Sequence, residues 1–387
     1  MKRILALALA LTAVCGCAPR CEMRQGELVP EIPEYIFSNG LLEMKVVPAV
    51  AGRIHGLTYL PTGLELFEPM TYEVRKHDLL PPVIVSQVTG GRELIWGVHN
   101  FFNEKMEIDK VAPGPEWAGI AMHGRYFQGE NLDAVKKVTT EAGTLKIDIE
   151  FTVINRERKP KAVSLWKHLT AQLTPGDKDI ILIPARSKVA RVCNAAVLEV
   201  AEDSIFHDLD QAHQAAFFAP LAPWIGRSSS DGVNRGTLVM SCDEMMLPES
   251  RFYCWKDPAR KLHTAEMLIA PHNLAPNAGH VYNVSYYYFP HLRAMRALSG
   301  DTGIDLEDDA LVLETAVATP ARTLELWIRN GEAFQSLGTY RIPAMKPGEP
   351  YRIALSATRF DAKNTVIKGK WSDGTTFLLP PVVTKGK

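Results

Sequence analysis

Alternating apolar and polar positions along residues 163–173 predict a β-strand with two different faces. One face carries Val163, Leu165, Lys167, Leu169, Ala171 and Leu173, and the other carries Ser164, Trp166, His168, Thr170 and Gln172. The first face is apolar apart from its lysine, so we expect it to pack in a core. The second face offers an aromatic ring beside hydroxyl, imidazole and amide groups. That mixture suits sugar binding, although an ordinary solvated strand face has the same composition.

Similar strand patterns, bounded by Gly, Pro, Asn or Asp, recur along the whole chain. The Asn39-Gly40 pair between two of them predicts a β-hairpin. Only residues 208–218 and 290–298 have a helical pattern, and both segments are short. Many strands with few helices predict an all-β fold of the sandwich type.

The chain has 387 residues, a length that favours two domains over one core. A break in the pattern at residues 299–303 separates a large unit, 28–295, from a smaller one, 303–387. The smaller unit contains short strands and no histidine, and it predicts a small immunoglobulin-like β-sandwich with a structural or docking role.

The first residues have the pattern of a secretory signal. Lys2 and Arg3 precede an apolar run over residues 4–14, which is too short for a membrane span of about 20 residues. The Gly16-Cys17 pair then resembles a bacterial lipobox. The pattern predicts a signal peptide over 1–17, lipidation of Cys17, a tether over 18–27, and export to the cell envelope with the lipid as the only membrane contact. Simple secretion with cleavage nearby is the alternative.

Charge and cysteine content narrow the classes of partner. The chain has 43 basic and 44 acidic residues, and no basic stripe, so we expect no nucleic-acid partner. Cys242 and Cys254 flank a predicted hairpin turn at 248–250, and the register leaves open whether they form a disulfide. We find no C-x-x-C pair or zinc-type spacing and expect no metal or other cofactor; the sequence leaves the oligomeric state open.

The chain lacks the usual signatures of serine hydrolases, zinc peptidases and nucleotide-binding enzymes. What remains is a set of polar and aromatic side chains ahead of residue 300. Glu266 lies in an otherwise apolar run, where an unpaired charge would be costly. A metal site among His207, Asp208, Asp210 and His213 is a weaker alternative. The candidate site residues are Arg53, Trp96, His99, His123, Arg125, Trp166, His168, Thr170 and Glu266.

Several short motifs resemble those of galactose mutarotase-like proteins, the aldose 1-epimerase group. They are Asn39-Gly40, Val47-Pro48, Gly52-Arg53-Ile54, the Gly90-Gly91 to Trp96 segment, the strand with Trp166 and His168, and Glu266 ahead of residues 274–279. The resemblance implies a β-supersandwich over 28–295 and a carbohydrate ligand. The mutarotase Asn-His-x-Tyr-Phe-Asn run is absent, and His168 lies in Trp-Lys-His-Leu-Thr instead.

In such epimerases a glutamate takes a proton from the anomeric hydroxyl and a histidine protonates the ring oxygen. The resemblance therefore implies Glu266 as base and His168 as acid, with Arg53, His99 and His123 orienting hydroxyls. We expect Trp166 to supply a stacking platform. A non-catalytic glycan-binding lipoprotein, or an accessory protein of polysaccharide processing, is the alternative. A cleft about one sugar ring wide between His168 and Glu266 is required for the epimerase.

Overall fold

The computed structural model of the protein describes residues 18–67, 72–77, 80–86, 91–95, 105–127, 130–170, 180–186, 189–192, 197–199, 203–208, 215–229, 236–257, 262–307, 310–355 and 365–384. The first strands in chain order are β1 (Glu22–Val29), β2 (Ile32–Ser38), β3 (Leu42–Val47), β4 (Arg53–Tyr59), β5 (Leu64–Glu65), β6 (Tyr72–His77), β7 (Leu80–Ser86), β8 (Gly91–Ile95), β9 (Glu107–Pro113), β10 (Trp117–Phe127), β11 (Glu130–Glu141), β12 (Lys146–Asn155), β13 (Lys161–Val163), β14 (Leu165–Thr170), β15 (Ile180–Ala185), β16 (Val189–Val192) and β17 (Val197–Glu199).

The remaining strands are β18 (Ser204–Asp208), β19 (Ala215–Phe218), β20 (Trp224–Ser229), β21 (Gly236–Ser241), β22 (Arg251–Asp257), β23 (Leu262–Leu268), β24 (His272–Leu274), β25 (Gly279–Phe289), β26 (Ala297–Ser299), β27 (Thr302–Glu307), β28 (Ala310–Thr315), β29 (Arg322–Asn330), β30 (Ala333–Ile342), β31 (Tyr351–Ala354), β32 (Ile367–Trp371), β33 (Thr376–Leu379) and β34 (Val382–Thr384). Short 3-10 segments lie at Pro48–Val50 and Asp243–Met246. The prediction of an all-β fold is confirmed.

Two large sheets form most of the molecule. The first has 12 strands in the order β1-β2-β3-β4-β8-β14-β23-β22-β19-β16-β17, with β5 beside β4. The second has 10 strands in the order β34-β18-β15-β20-β21-β25-β12-β11-β10-β9. Their facing sides share one hydrophobic core. On central strands such as β12, alternation places every second side chain in that core, as in a sandwich of two sheets.

Strand β14 has the two faces that the sequence predicts. Leu165 and Leu169 lie in the shared core. Lys167 is fully buried on the same side, and its Nζ lies 5.0 Å from the ring centroid of Tyr286 on β25 of the opposite sheet. A cation over an aromatic face keeps part of its electrostatic stabilisation. Trp166, His168 and Thr170 consequently lie on the side that faces away from the second sheet.

The predicted hairpin at 248–250 is wrong. Strand β21 belongs to the second sheet and β22 to the first, so the chain crosses between sheets through the 3-10 segment Asp243–Met246. A turn signal in the sequence does not show which sheet the next strand joins. Because Cys242 and Cys254 belong to different sheets, they do not lie across a hairpin, and both are buried thiols. Burial raises the pKa of Cys242 to about 12.

The helix predicted over 290–298 is wrong, and the one predicted over 208–218 is contradicted at residues 208 and 215–218, the part of it that the structure describes. Within 208–218 the described residues lie in β18 and β19, and β19 pairs with Phe252–Trp255 of β22. Residues 290–298 are described throughout and contain no helix, only turns and the start of β26. Leu292 and Met295 are buried between the large core and the C-terminal strands. These tertiary contacts override the local helical preference of the segment.

The N-terminal segment 18–27, predicted as a tether, contains most of β1. That strand pairs with β2 and extends the first sheet, and Cys21 donates its N–H to the carbonyl of Pro115. The segment is polar because β1 is an edge strand on which half of the residues are exposed and the others are only partly buried. Residues 1–17, with the predicted signal and Cys17, lie outside the described residues.

The C-terminal strands form two further sheets of four strands each, β26-β27-β28-β31 and β30-β29-β32-β33. These sheets enclose their own core, which includes Ile304, Leu326 and Trp371. Strand β34 then pairs in parallel with β18 of the second large sheet. No helix in the described residues has the length and hydrophobicity needed to cross a membrane.

Candidate functional site

The site residues of β14 meet those of β23 on the outer face of the first sheet. The two strands are antiparallel neighbours, and His168 lies directly opposite Glu266. His168 Nδ1 is 3.2 Å from Glu266 Oε1, and the two side chains are only 2% and 3% exposed. The sequence prediction that both residues belong to one site is consistent with this register.

Glu266 is held by two further donors. Trp166 Nε1 donates a hydrogen bond to Oε2 at 2.5 Å, and the Thr264 hydroxyl donates to Oε1. A buried carboxylate needs such partners, because an uncompensated charge inside a protein costs several kcal/mol. We call His168, Thr264 and Glu266 the buried cluster.

An aromatic row extends from the buried cluster across the neighbouring strands. The Trp166 ring stacks on the His168 ring with centroids 4.9 Å apart and an interplanar angle of 27°. Tyr253 of β22 meets Trp166 edge-on at 6.0 Å, and Phe217 of β19 lies 4.6 Å from Tyr253. Trp166, Tyr253 and Phe217 are all partly exposed, whereas Phe252 and Phe218 beside them are buried in the core. The row therefore offers an aromatic surface on the outer face.

Thr170 lies at the other end of β14 from Trp166 and directly opposite Thr264. Its side chain is buried, and in the described part of the chain its Oγ1 has no hydrogen-bond partner.

Arg53 shares the outer face with this group. Ile54 beside it packs in the core and lies opposite Gly91 of β8, which in turn lies opposite Leu169 of β14. Arg53 is therefore two strands from β14, roughly 10 Å at normal strand spacing. Its side chain is 1% exposed.

His123 and Arg125 do not join this site. They lie on β10 of the second sheet, on the side opposite to Met122, which packs in the core. His123 Nδ1 lies 2.6 Å from Asp109 Oδ1, and Arg125 is exposed. Period-two alternation showed that the two residues share a face, but it could not show which sheet they belong to. Trp96, His99, Asp210 and His213 lie outside the described residues.

The close contact of His168 and Glu266 has a chemical consequence. Groups on opposite sides of a sugar ring must be separated by the width of that ring, and here they are in direct contact at 3.2 Å. In this arrangement the pair cannot act as acid and base across a ring. The sequence missed Tyr253, Phe217 and the role of Thr264, because each depends on strand pairing that no local pattern encodes.

No protein-family model matches the sequence, and a search of curated proteins gave no match either. Among solved structures, a galactose mutarotase-like protein from Clostridium acetobutylicum is similar at 12% identity and a TM-score of 0.53, covering 70% of this chain and 99% of that chain. A TPR-domain containing protein from Parabacteroides distasonis is similar at 10% identity and a TM-score of 0.54. That match covers 73% of this chain and 57% of the other. The two large sheets of this protein thus have the galactose mutarotase-like fold.

Proposed function

We propose that the protein binds a carbohydrate on the outer face of its first sheet, over the aromatic row and the buried cluster. The observation that carries the proposal is the row of partly exposed aromatic rings on that face, Trp166, Tyr253 and Phe217.

The rest of the surface suits the same ligand. A pyranose has apolar C–H faces, which pack on aromatic rings, and hydroxyl edges, which need paired donors and acceptors. The aromatic row supplies the first kind of contact. The Trp166 ring at the end of this row is held by its hydrogen bond to Glu266 of the buried cluster. The galactose mutarotase-like fold agrees with a ligand of this class.

Binding to a panel of aldoses and oligosaccharides, measured by glycan array and calorimetry, tests the proposal. We expect Trp166→Ala to weaken binding at least about tenfold, which corresponds to about 1.4 kcal/mol. Trp117 is an exposed tryptophan on β10 of the second sheet, so Trp117→Ala is the matched control and should bind as the wild type does. Equal affinity of wild type and Trp166→Ala, or no binding to any sugar, would overturn the proposal.

Epimerase-like proton transfer at an anomeric carbon is not supported by this arrangement, because the 3.2 Å contact of His168 with Glu266 leaves no room for a sugar ring. It requires the ligand to separate the two side chains, so that Glu266 accepts the proton and His168 donates one. Polarimetry on freshly dissolved aldoses tests it. Faster mutarotation that is lost in Glu266→Gln and kept in Glu244→Gln supports the activity. Equal rates with and without protein leave binding alone.

We also propose export and lipid anchoring, with Cys17 as the lipidated residue. The positive Lys2 and Arg3, the apolar run over 4–14 and the Gly16-Cys17 pair support it. Metabolic labelling with a radioactive fatty acid, followed by membrane fractionation, is the test. The label should appear in the wild type and be absent from Cys17→Ser. A labelled Cys17→Ser variant would contradict the assignment.

A further inference from the structure

A second histidine–glutamate cluster lies away from the buried cluster. Glu244 of the 3-10 segment Asp243–Met246 meets His272 of β24 and His280 of β25. His272 Nε2 is 2.8 Å from Glu244 Oε2, and His280 Nε2 is 3.0 Å from the same oxygen and 3.1 Å from Oε1. All three side chains are partly exposed. We call these three residues the half-exposed cluster.

The protein holds the three side chains in place before any ligand arrives. The Ser250 hydroxyl donates to the Glu244 carbonyl and accepts the N–H of Ala270, which fixes the 3-10 segment against the chain leading into β24. The rings of His272 and His280 are stacked, with centroids 3.7 Å apart and an interplanar angle of 19°. Both rings also meet the Tyr282 ring edge-on. The two Nε2 atoms therefore point in one direction, towards one carboxylate.

We propose that the half-exposed cluster binds a divalent transition-metal ion of the zinc class. Two imidazole nitrogens and one carboxylate are a donor set that such ions prefer. The three ligand atoms lie within 4.8 Å of one another. A tetrahedral ion with bonds of about 2.0–2.2 Å needs its ligand atoms roughly 3.4 Å apart, so the Nε2–oxygen contacts must open by a few tenths of an ångström. The two stacked rings must also tilt apart, so that both in-plane Nε2 lone pairs point at one ion.

The donor set and its exposure also define the kind of site. Three protein ligands leave the fourth tetrahedral position open, and partial exposure gives water access to it. His123, by contrast, directs Nδ1 towards Asp109 and Nε2 towards Glu107, so its two carboxylates do not converge on one point. Among the described residues, only in the half-exposed cluster do three ligand atoms of His, Cys, Asp or Glu lie within 4.8 Å of one another.

The proposed metal site is separate from the proposed sugar surface. His272 lies opposite Val163, whereas Glu266 lies opposite His168, five residues further along the chain. Val163 and His168 lie on different strands, β13 and β14, which belong to different sheets, and the two sites share no residue. Metal binding therefore does not depend on the sugar proposal, and either can fail alone.

Zinc titration of the chain, produced without a histidine tag and stripped with a chelator, tests the inference. In competition with a chromogenic chelator we expect one zinc ion per chain. Because loss of even an outer-shell partner costs about 10–100-fold in affinity, loss of a direct ligand in His272→Ala or His280→Ala should cost at least about 100-fold. Glu244→Gln, which keeps the shape of the side chain, should also weaken binding. His291 contacts a different carboxylate, Glu314, so His291→Ala should bind zinc as the wild type does.

X-ray absorption of the zinc-loaded wild type gives a result that does not depend on how the variants fold. The spectrum should contain two imidazole ligands and light oxygen ligands at about 2.0–2.2 Å. A wild type without a zinc site, a spectrum without imidazole, or unchanged affinity in a folded His272→Ala/His280→Ala double variant would overturn the inference. In that case the cluster is a set of hydrogen bonds between two imidazoles and one carboxylate.

Discussion

The buried cluster and the half-exposed cluster contain the same chemical groups in opposite surroundings. Each joins imidazole to a glutamate, but Glu266 is 3% exposed and Glu244 is 23% exposed. Glu266 also receives hydrogen bonds from Trp166 and Thr264. The described contacts of the Glu244 carboxylate are those to His272 and His280. The exposure of the glutamate and the hydrogen bonds that it accepts therefore distinguish the two clusters.

The difference indicates what each cluster can do. A carboxylate whose two oxygens already accept hydrogen bonds in a buried site is held firmly and is expensive to disturb. A partly exposed carboxylate with two imidazole nitrogens converging on it can exchange its partners for an ion. We therefore assign the buried cluster to ligand orientation and the half-exposed cluster to metal binding.

The largest expected effect comes from deleting each glutamate in turn. Glu266→Ala removes the acceptor of the Trp166 N–H and of the Thr264 hydroxyl and the 3.2 Å contact with His168, and we expect a loss of about 3–5 kcal/mol in the free energy of unfolding. Glu244→Ala removes partly exposed pairs and should cost about 1 kcal/mol or less in metal-free buffer. Urea denaturation followed by tryptophan fluorescence measures both.

A zinc-containing buffer sharpens this comparison. An ion that binds only the folded state stabilises it by about 2.7 kcal/mol at a hundred times the dissociation constant. The wild type should gain stability with added zinc and Glu244→Ala should not. Equal losses for the two deletions in metal-free buffer would contradict the distinction between the clusters.

The sequence predicted the face of β14 but not its partners. Alternation assigned Trp166, His168 and Thr170 to one side and Lys167 to the other, because that pattern depends only on strand geometry. The contact between Trp166 and Glu266 joins residues 100 positions apart, and no spacing rule reaches that far. The resemblance to mutarotase-like proteins supplied the link between His168 and Glu266.

The half-exposed cluster shows even more clearly that local patterns do not predict contacts between residues far apart in the sequence. Glu244 is 28 residues from His272 and 36 from His280, a spacing unlike that of a zinc motif. The three residues meet because the chain crosses between the two large sheets at Asp243–Met246, where the sequence indicated a hairpin. His123 illustrates the reverse error, since a strand pattern placed it correctly on a β-strand but not in the correct sheet.

An intermediate effect should follow from removing one hydrogen-bond donor near each cluster. Trp166→Phe keeps a stacking ring but removes the N–H bonded to the Glu266 carboxylate, and bonds to charged groups contribute about 1.5–3 kcal/mol. Tyr282→Phe beside the half-exposed cluster removes a hydroxyl bonded to the Val163 carbonyl, a neutral bond of about 0.5–1.5 kcal/mol. The unfolding free energies should fall in that order. A larger loss in Tyr282→Phe would show that the Glu266 carboxylate does not depend on Trp166.

The smallest expected changes in the free energy of unfolding concern two histidine–glutamate pairs outside both clusters, His55 with Glu34 and His291 with Glu314. These pairs extend the comparison to the dependence of stability on pH. Burial lowers the pKa of His55, more than its contact with Glu34 raises it. The hydrogen bond to Glu314 raises the pKa of His291, whose side chain is 49% exposed. The folded state thus disfavours protonated His55, so this residue costs stability as the pH falls below about 6.5, the unfolded value. The folded state favours protonated His291, and the stability it contributes is present below about 6.5 and is lost as the pH rises through the folded pKa.

Relative to wild type, His55→Asn should therefore be more stable at pH ~5.5 than at pH ~8, and His291→Asn should be less stable at pH ~5.5 than at pH ~8, when both are measured by urea denaturation. If the two variants shift in the same direction, exposure does not determine how a histidine–glutamate pair of this protein responds to pH.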